Sequence, residues 1–149
     1  MSTDERIEVR RWVQEAIDLY EGVGKEKALA EIADPDGRLI QGERYIFALD
    51  LDGNLLAHPF AERLRGKNLI GLRDCDGRNF ISKMVDVAKA RGYGFTEYKW
   101  PAPGSGKEFH KVVFFERVDG MILCGGFYTI EESALESLFR CFQYYGPCW

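Results

Sequence analysis

Histidine and cysteine, which metal sites and nucleophilic catalysis depend on, are scarce in this chain. There are two histidines and four cysteines in 149 residues, and no CxxC pair occurs. Zinc ribbons use cysteine pairs at that spacing, so their absence argues against one. Neither histidine lies in a GxSxG or Cys/His signature. We therefore expect no cofactor, no metal and no enzymatic activity.

Long uncharged runs are also missing. The longest covers residues 120–130, whereas a membrane helix needs about 20 apolar residues. The N-terminus, MSTDERIEVRR, lacks the apolar stretch of a secretory signal. We expect no membrane span and, as the sequence stands, a cytoplasmic protein. The alternative is a periplasmic protein from which a signal segment has been removed.

Basic residues are not in excess. Lys and Arg total 20 against 24 Asp and Glu, for a formal net charge of -4. Proteins that bind nucleic acid through bulk charge are normally basic, so we expect no nucleic-acid partner. The hydrophobic fraction of 46% is typical of a globular protein, and the length favours one domain.

Helical periodicity predicts four helices. A capping box at residues 2–5 opens the first, which ends at Gly22 and Gly24. The second is predicted over residues 25–33 and the third over 77–91, with Gly92 after its end. A second capping box at Thr129 opens a C-terminal helix.

Five segments are rich in β-forming residues. The first two flank Asp52-Gly53, which is a hairpin signal, and the other three are separated by turn sequences. The predicted strands cover residues 44–50, 55–58, 94–100, 111–117 and 121–128. Short turns favour an antiparallel sheet with the helices on one face. The predicted fold class is α+β: a PAS-like antiparallel five-stranded sheet with a long N-terminal helix and an extra C-terminal helix.

Residues 24–128 resemble the single Cache domain, second type, of bacterial chemoreceptors and sensor kinases. The matching segments are GKEKALAEIADPDG (24–37), YIFALDLDGNLLAHP (45–59), GKNLIGLRDCDG (66–77), ISKMVDVAKARGYGFTEYKWPAPGSGK (81–107) and KVVFFERVDGMILCGGFY (111–128). Family members usually have flanking transmembrane helices, so this chain resembles the freestanding soluble members. We expect a domain over residues 1–128, followed by a helix and tail over 129–149. The resemblance implies a sensory module that binds a small organic acid.

The sequence Asp-x-Asp-Gly occurs three times, beginning at Asp34, Asp50 and Asp74. A calcium loop needs a glycine and a glutamate at spacings that are absent here. Aspartate caps turns and glycine supplies positive φ, so we interpret all three as turns.

Several residues are candidates for the ligand site. His58, at a strand end before Pro59, lies near the cavity by resemblance and could donate to a carboxylate, or else it holds the turn through backbone bonds. Lys111 suits a carboxylate as a point charge, or it is a solvated strand end. Tyr98 and Trp100 share one strand face, and the resemblance places them in the pocket wall. There Tyr98 would donate a hydrogen bond.

The remaining candidates are apolar or aromatic. Tyr128 would form the wall with Trp100. Phe80 and Met84, one helical turn apart, line the cavity or fill the core. Phe114 stands where the family often has an aromatic hydroxyl. Alternation groups Lys111 with one set of apolar residues and Phe114 with another. Because both sets are apolar, we expect the sheet to be covered on both sides near Lys111, and which face carries the pocket is left open.

Partners are predicted from the two ends of the chain. Trp12 near the N-terminus and three aromatic residues in the C-terminal segment exceed what a small sheet covers, which favours a homodimer through the first helix. A disulfide between Cys141 and Cys148 is left open. The alternatives to a sensory module are an interaction scaffold with a filled pocket, and a small enzyme that uses His58 or Cys124.

Overall fold

The computed structural model describes residues 3–129. Its elements follow the predicted order, so the predicted α+β arrangement is confirmed in this range. The predicted C-terminal helix and the cysteine pair lie outside it. The elements are α1 (Thr3–Val23), α2 (Lys25–Ala33), β1 (Ile46–Asp50), β2 (Leu55–Ala57), a 3-10 turn (Glu62–Leu64), α3 (Phe80–Arg91), β3 (Tyr93–Pro101), β4 (Glu108–Val118) and β5 (Met121–Tyr128).

The five strands form one antiparallel sheet in the order β2-β1-β5-β4-β3. Tight connections join β1 to β2 and β4 to β5, and the second of these places Asp119 at φ 53°. α3 fills the long connection between β2 and β3 and ends at Gly92, whose φ of 89° is a conformation that glycine adopts without strain. This is the PAS-like arrangement that the sequence predicts.

Helices cover both faces of the sheet. This corrects the expectation of helices on one face, and it agrees with the cover on both sides expected from the apolar residues of β4. α3 packs with Val113 and Phe115 of β4, whereas α1 packs with Val112 and Phe114. The physical reason is that the inner strands are apolar on both faces: the central residues 110–115 of β4 are all buried, as are seven of the eight residues of β5. A sheet of this kind needs cover on both sides.

The Asp-x-Asp-Gly segments are turns, as predicted. Asp50 Oδ1 accepts the N–H groups of Asp52 and Asn54, each at 2.9 Å. Asp74 Oδ1 accepts the Arg78 N–H at 2.8 Å, and its Oδ2 accepts the Lys99 N–H at 3.0 Å. Asp74 therefore ties the loop before α3 to strand β3.

The outward face of α1 is mostly charged. Ile7 and Val23 are its large exposed apolar residues, and the predicted homodimer through this helix stays a prediction. Within residues 3–129, no helix combines the length and the hydropathy that crossing a membrane requires.

Candidate functional site

A row of three polar side chains crosses the α3 face of the sheet. Strand register pairs Tyr98 of β3 with Lys111 of β4, and Lys111 with Tyr128 of β5. Tyr45, just before β1, belongs to the same core cluster as Tyr98. The aromatic rings near the Lys111 amine are those of Tyr45, Phe47, Tyr98 and Tyr128.

The Lys111 amine is buried without a partner. The residue is 1% exposed, and within residues 3–129 its Nζ has no hydrogen-bond partner. Its neighbours are the ring centroids of Tyr45 at 4.0 Å, Phe47 at 5.1 Å, Tyr128 at 5.5 Å and Tyr98 at 5.9 Å. Burial lowers the pKa of Lys111 from 10.5 to about 7, because the apolar surroundings disfavour the ammonium.

His58 offers a second donor near this amine. Its Nδ1 accepts the Phe60 N–H at 3.0 Å, so the neutral ring carries its proton on Nε2. The ring centroid lies 4.7 Å from that of Tyr45, and the Tyr45 ring therefore contacts both His58 and Lys111. Burial, and then the Lys111 charge, lower the pKa of His58 to about 3. The structure therefore shows the backbone bond by which His58 holds the turn, and ligand binding through its other nitrogen stays a prediction.

The hydroxyl groups of two tyrosines form a directed chain. Tyr128 Oη donates to the Pro101 carbonyl at 2.8 Å. The Tyr45 and Tyr128 hydroxyls are 3.3 Å apart, and because the Tyr128 proton is already used, Tyr45 is the donor between them. Burial raises the pKa of Tyr128 to about 12 and that of Tyr45 further. Both phenols therefore stay neutral, and each hydroxyl already donates its proton in a hydrogen bond.

A small apolar cavity lies beside this cluster, beneath α3 and the loop before it. Its volume is about 20 Å³, roughly the room for one water molecule. Phe80 stacks on Tyr98 with ring centroids 3.8 Å apart, and Trp100 meets both rings edge-on. The cavity is lined by Phe47, Leu55, His58, Leu64, Leu69, Leu72, Phe80, Ile81, Tyr98 and Trp100.

The structure brings most of the predicted site residues together. The cavity lining contains four of them. Lys111 and Tyr128 lie outside the lining, and Lys111 Nζ is 5.1 and 5.9 Å from the ring centroids of the lining residues Phe47 and Tyr98. Met84 is fully buried in the same cluster but outside the lining. The lining four are His58, Phe80, Tyr98 and Trp100.

The expectation for Phe114 needs a correction. Its side chain lies on the α1 face, next to Phe95 at 5.0 Å between centroids and beneath the Arg10 guanidinium at 5.1 Å. The reason is strand alternation: Lys111 and Phe114 are three residues apart on β4, so they point to opposite faces. Phe114 therefore lies across the sheet from the cavity.

Several residues of the candidate site were not predicted from the sequence. Tyr45, Phe47 and Leu49 lie at every second position in and just before β1, and this spacing could have placed them on one face of the sheet. The leucines Leu64 and Leu69 come from an irregular loop with no periodicity, so only the tertiary structure brings them to the cavity.

The arrangement presents a buried hydrogen-bond donor without a matching acceptor. Lys111 Nζ lacks a partner among the described residues, and no carboxylate of this range forms an ion pair with it. A buried donor left unpaired costs about 1–3 kcal/mol. A small acceptor that carries negative charge would satisfy the Lys111 amine.

The strand order and the helices on both faces of the sheet define a PAS-like domain. The family model dCache_2, a Cache domain, matches residues 23–129. The chain therefore belongs to the Cache domain family, which confirms the resemblance of the sequence.

Individual proteins agree with this assignment. A solved periplasmic sensor domain of a chemotaxis protein is 27% identical, with a TM-score of 0.77 over 85% of this chain and 96% of that one. Another solved structure, described as the structural basis for carboxylic acid recognition by a Cache chemosensory domain, is 24% identical, with a TM-score of 0.74 over 87% of this chain and all of that one (100%). The second likeness concerns the fold alone.

A curated relative is the methyl-accepting chemotaxis protein McpP of Pseudomonas putida strain KT2440. It is 28% identical over 92 residues, which are 60% of this chain and 17% of the relative. The chain thus matches less than a fifth of the length of that receptor.

Proposed function

We propose that this domain is a sensory module that binds a short monocarboxylate in the cluster around Lys111. The observation that carries the proposal is the buried Lys111 amine, which has no partner among the described residues. A carboxylate would supply the missing acceptor and the missing charge. Charge-assisted hydrogen bonds of this kind are roughly twice as strong as neutral ones.

Each residue has a distinct part in the proposed complex. Lys111 provides the charge, and His58 Nε2–H provides a second donor to the same carboxylate. Tyr98 and Trp100 form an apolar wall for the carbon chain, with Phe80 behind Tyr98. The Tyr45 ring contacts both the Lys111 amine and the His58 ring, and the Tyr45 hydroxyl is hydrogen-bonded to that of Tyr128.

The charges favour a monocarboxylate over a dicarboxylate. Lys111 is the one cation in the described part of this cluster, and the cavity lining contains no other. A second carboxylate would stay buried without a partner, which is strongly unfavourable. The volume of about 20 Å³ also restricts ligand length. For a ligand to enter, the cavity must widen, which requires movement of the loop before α3 that contributes Leu64, Leu69 and Leu72 to the lining.

Similarity to known proteins supports the ligand class. One structural neighbour is described by its recognition of a carboxylic acid, and the curated relative is a chemotaxis receptor. We extend both properties to this chain as part of the proposal: a carboxylate ligand and a role in chemotaxis-type signalling.

Thermal unfolding with a panel of ligands tests the proposal. Acetate, propionate, lactate and butyrate at millimolar concentration should raise the melting temperature through mass action, whereas succinate should not. Lys111→Gln should abolish the response. Lys89→Gln, which removes an exposed charge on α3, should leave it intact. A panel without any shift in the unmodified domain would contradict the carboxylate assignment.

The small volume of the cavity favours one alternative, an interaction scaffold whose pocket is filled by its own side chains. A scaffold would show no carboxylate response and would instead form a stable complex or dimer in solution. Catalysis is less well supported, because His58 Nδ1 is occupied by a backbone N–H and the Cys124 thiol donates to the Ile122 carbonyl at 3.7 Å. We propose a binding role and no enzymatic one.

A further inference from the structure

The buried Lys111 amine, which has no hydrogen-bond partner among the described residues, affects how the proposed ligand would bind. Resting on the proposed function, we propose that the site takes up a proton with its carboxylate, so that Lys111 is only partly protonated in the empty domain and an ammonium in the bound one. Ligand occupancy would then report the carboxylate concentration and the pH together.

The geometry shows why an ammonium is poorly supported in the empty site. Within the described residues no acidic side chain contacts Lys111, and its nearest groups are aromatic rings. Cation–π contacts recover only part of the hydration that a buried charge loses. The backbone also encloses the side-chain stem, since a Cβ placed on Gly126 would lie 2.9 Å from Lys111 Cε.

The titratable groups that face Lys111 from the surrounding elements are neutral near pH 7. Three are tyrosine phenols, just before β1, on β3 and on β5, and one is a cysteine thiol on β5; burial raises the pKa of all four. The fifth is the His58 imidazole, just after β2, and its pKa falls to about 3. The buried residues of α3 are apolar. The facing groups are Tyr45, His58, Tyr98, Cys124 and Tyr128.

The proton balance follows from these states. A carboxylate is already ionised at neutral pH, so it brings one negative charge and no proton. The proton comes from solvent and binds Lys111 Nζ, and no covalent bond is made or broken. With the free-state pKa near 7, the apparent Kd should rise about fifteenfold between about pH 7 and pH 8.5.

Calorimetric titration of the domain with propionate measures this coupling. Repeating it in phosphate and in Tris, which differ in ionisation enthalpy, gives the number of protons taken up. We expect about half a proton per ligand at about pH 7 and close to one at about pH 8.5. Lys111→Arg carries a permanent charge, so its Kd should not change over this range.

Direct observation keeps the test independent of how the variants fold. In the unmodified domain with carbon-13 lysine, the Lys111 Cε signal should titrate near neutral pH when empty and at higher pH with propionate. A Kd that is constant with pH, without buffer-dependent heat, would overturn the coupling and leave the proposed function standing. Loss of the proton uptake in His58→Gln, with an unmoved Lys111 signal, would assign the proton to His58 instead. Absence of propionate binding at every pH would overturn both proposals.

Discussion

Replacing Lys111 with methionine should stabilise the ligand-free domain. The side chain is 1% exposed and lies among aromatic rings, where an unbranched apolar chain of similar length packs well. Folding currently forces this lysine from a pKa of 10.5 to about 7. At about 1.4 kcal/mol for each pH unit, the loss of the proton makes folding less favourable by about 4 kcal/mol at pH 7.

The pH dependence gives the second half of this prediction. Because the folded pKa of Lys111 is lower than the unfolded one, the unfolded chain binds more protons between about pH 7 and 10.5. Stability of the unmodified domain should therefore rise with pH, by about 1.5 kcal/mol between about pH 7 and pH 8.5. Above that range the unfolded cysteines ionise while burial keeps Cys124 protonated, and this opposes the trend.

Urea unfolding followed by tryptophan fluorescence at the two pH values measures both effects. Lys111→Met should have the higher free energy of unfolding at pH 7 and should lose the lysine-dependent rise. Lys89→Met, at an exposed position on α3, is the matched control and should keep the rise. If Lys111→Met destabilised the domain, or kept the full pH dependence, the inference of a buried unpaired amine would be wrong.

Three further substitutions examine the framework of the site. Gly126→Ala should destabilise the domain by about 1–3 kcal/mol in urea unfolding, because its Cβ would lie 2.6 Å from the Val112 carbonyl oxygen. Gly71→Ala has open space around its Cβ, and an equal loss there would count against this reason. Phe114→Leu should cost about 1 kcal/mol yet leave carboxylate affinity unchanged in calorimetry, and a weakened affinity would place Phe114 in the site after all. Asp74→Asn should cost about 1–3 kcal/mol, because its carboxylate accepts backbone N–H groups of the loop and β3, and full stability of this variant would contradict that anchoring.

Much of the fold is predictable because its signals are local. Apolar spacing defines α2 with the bounds that the structure has, and the Asp52-Gly53 turn indicates the first hairpin. The alternating strands and short turns of the second half likewise predict an antiparallel sheet. The expectation of helices on one face came from the short turns, whereas the apolar residues on both sides of β4 indicate cover on both faces. Only the tertiary structure shows which helix covers which side.

The candidate site is only partly predictable, because its chemistry depends on distant contacts. Residue types and the family resemblance single out His58, Trp100 and Lys111. Strand alternation separates Phe114 from Lys111, but only the packing of α3 identifies the face that holds the cavity. The leucines of the loop before α3 follow no period that a sequence pattern could reveal.

The amino-acid sequence alone sets the helices, strands and turns of this Cache domain, because each depends on side chains a few residues apart. The tertiary structure decides the protonation and pairing of the site. Strand register places Lys111 between Tyr98 and Tyr128, and folding buries its amine among rings with no acid beside it. Those properties depend on the dielectric and on neighbours far away in the chain, which no local pattern encodes.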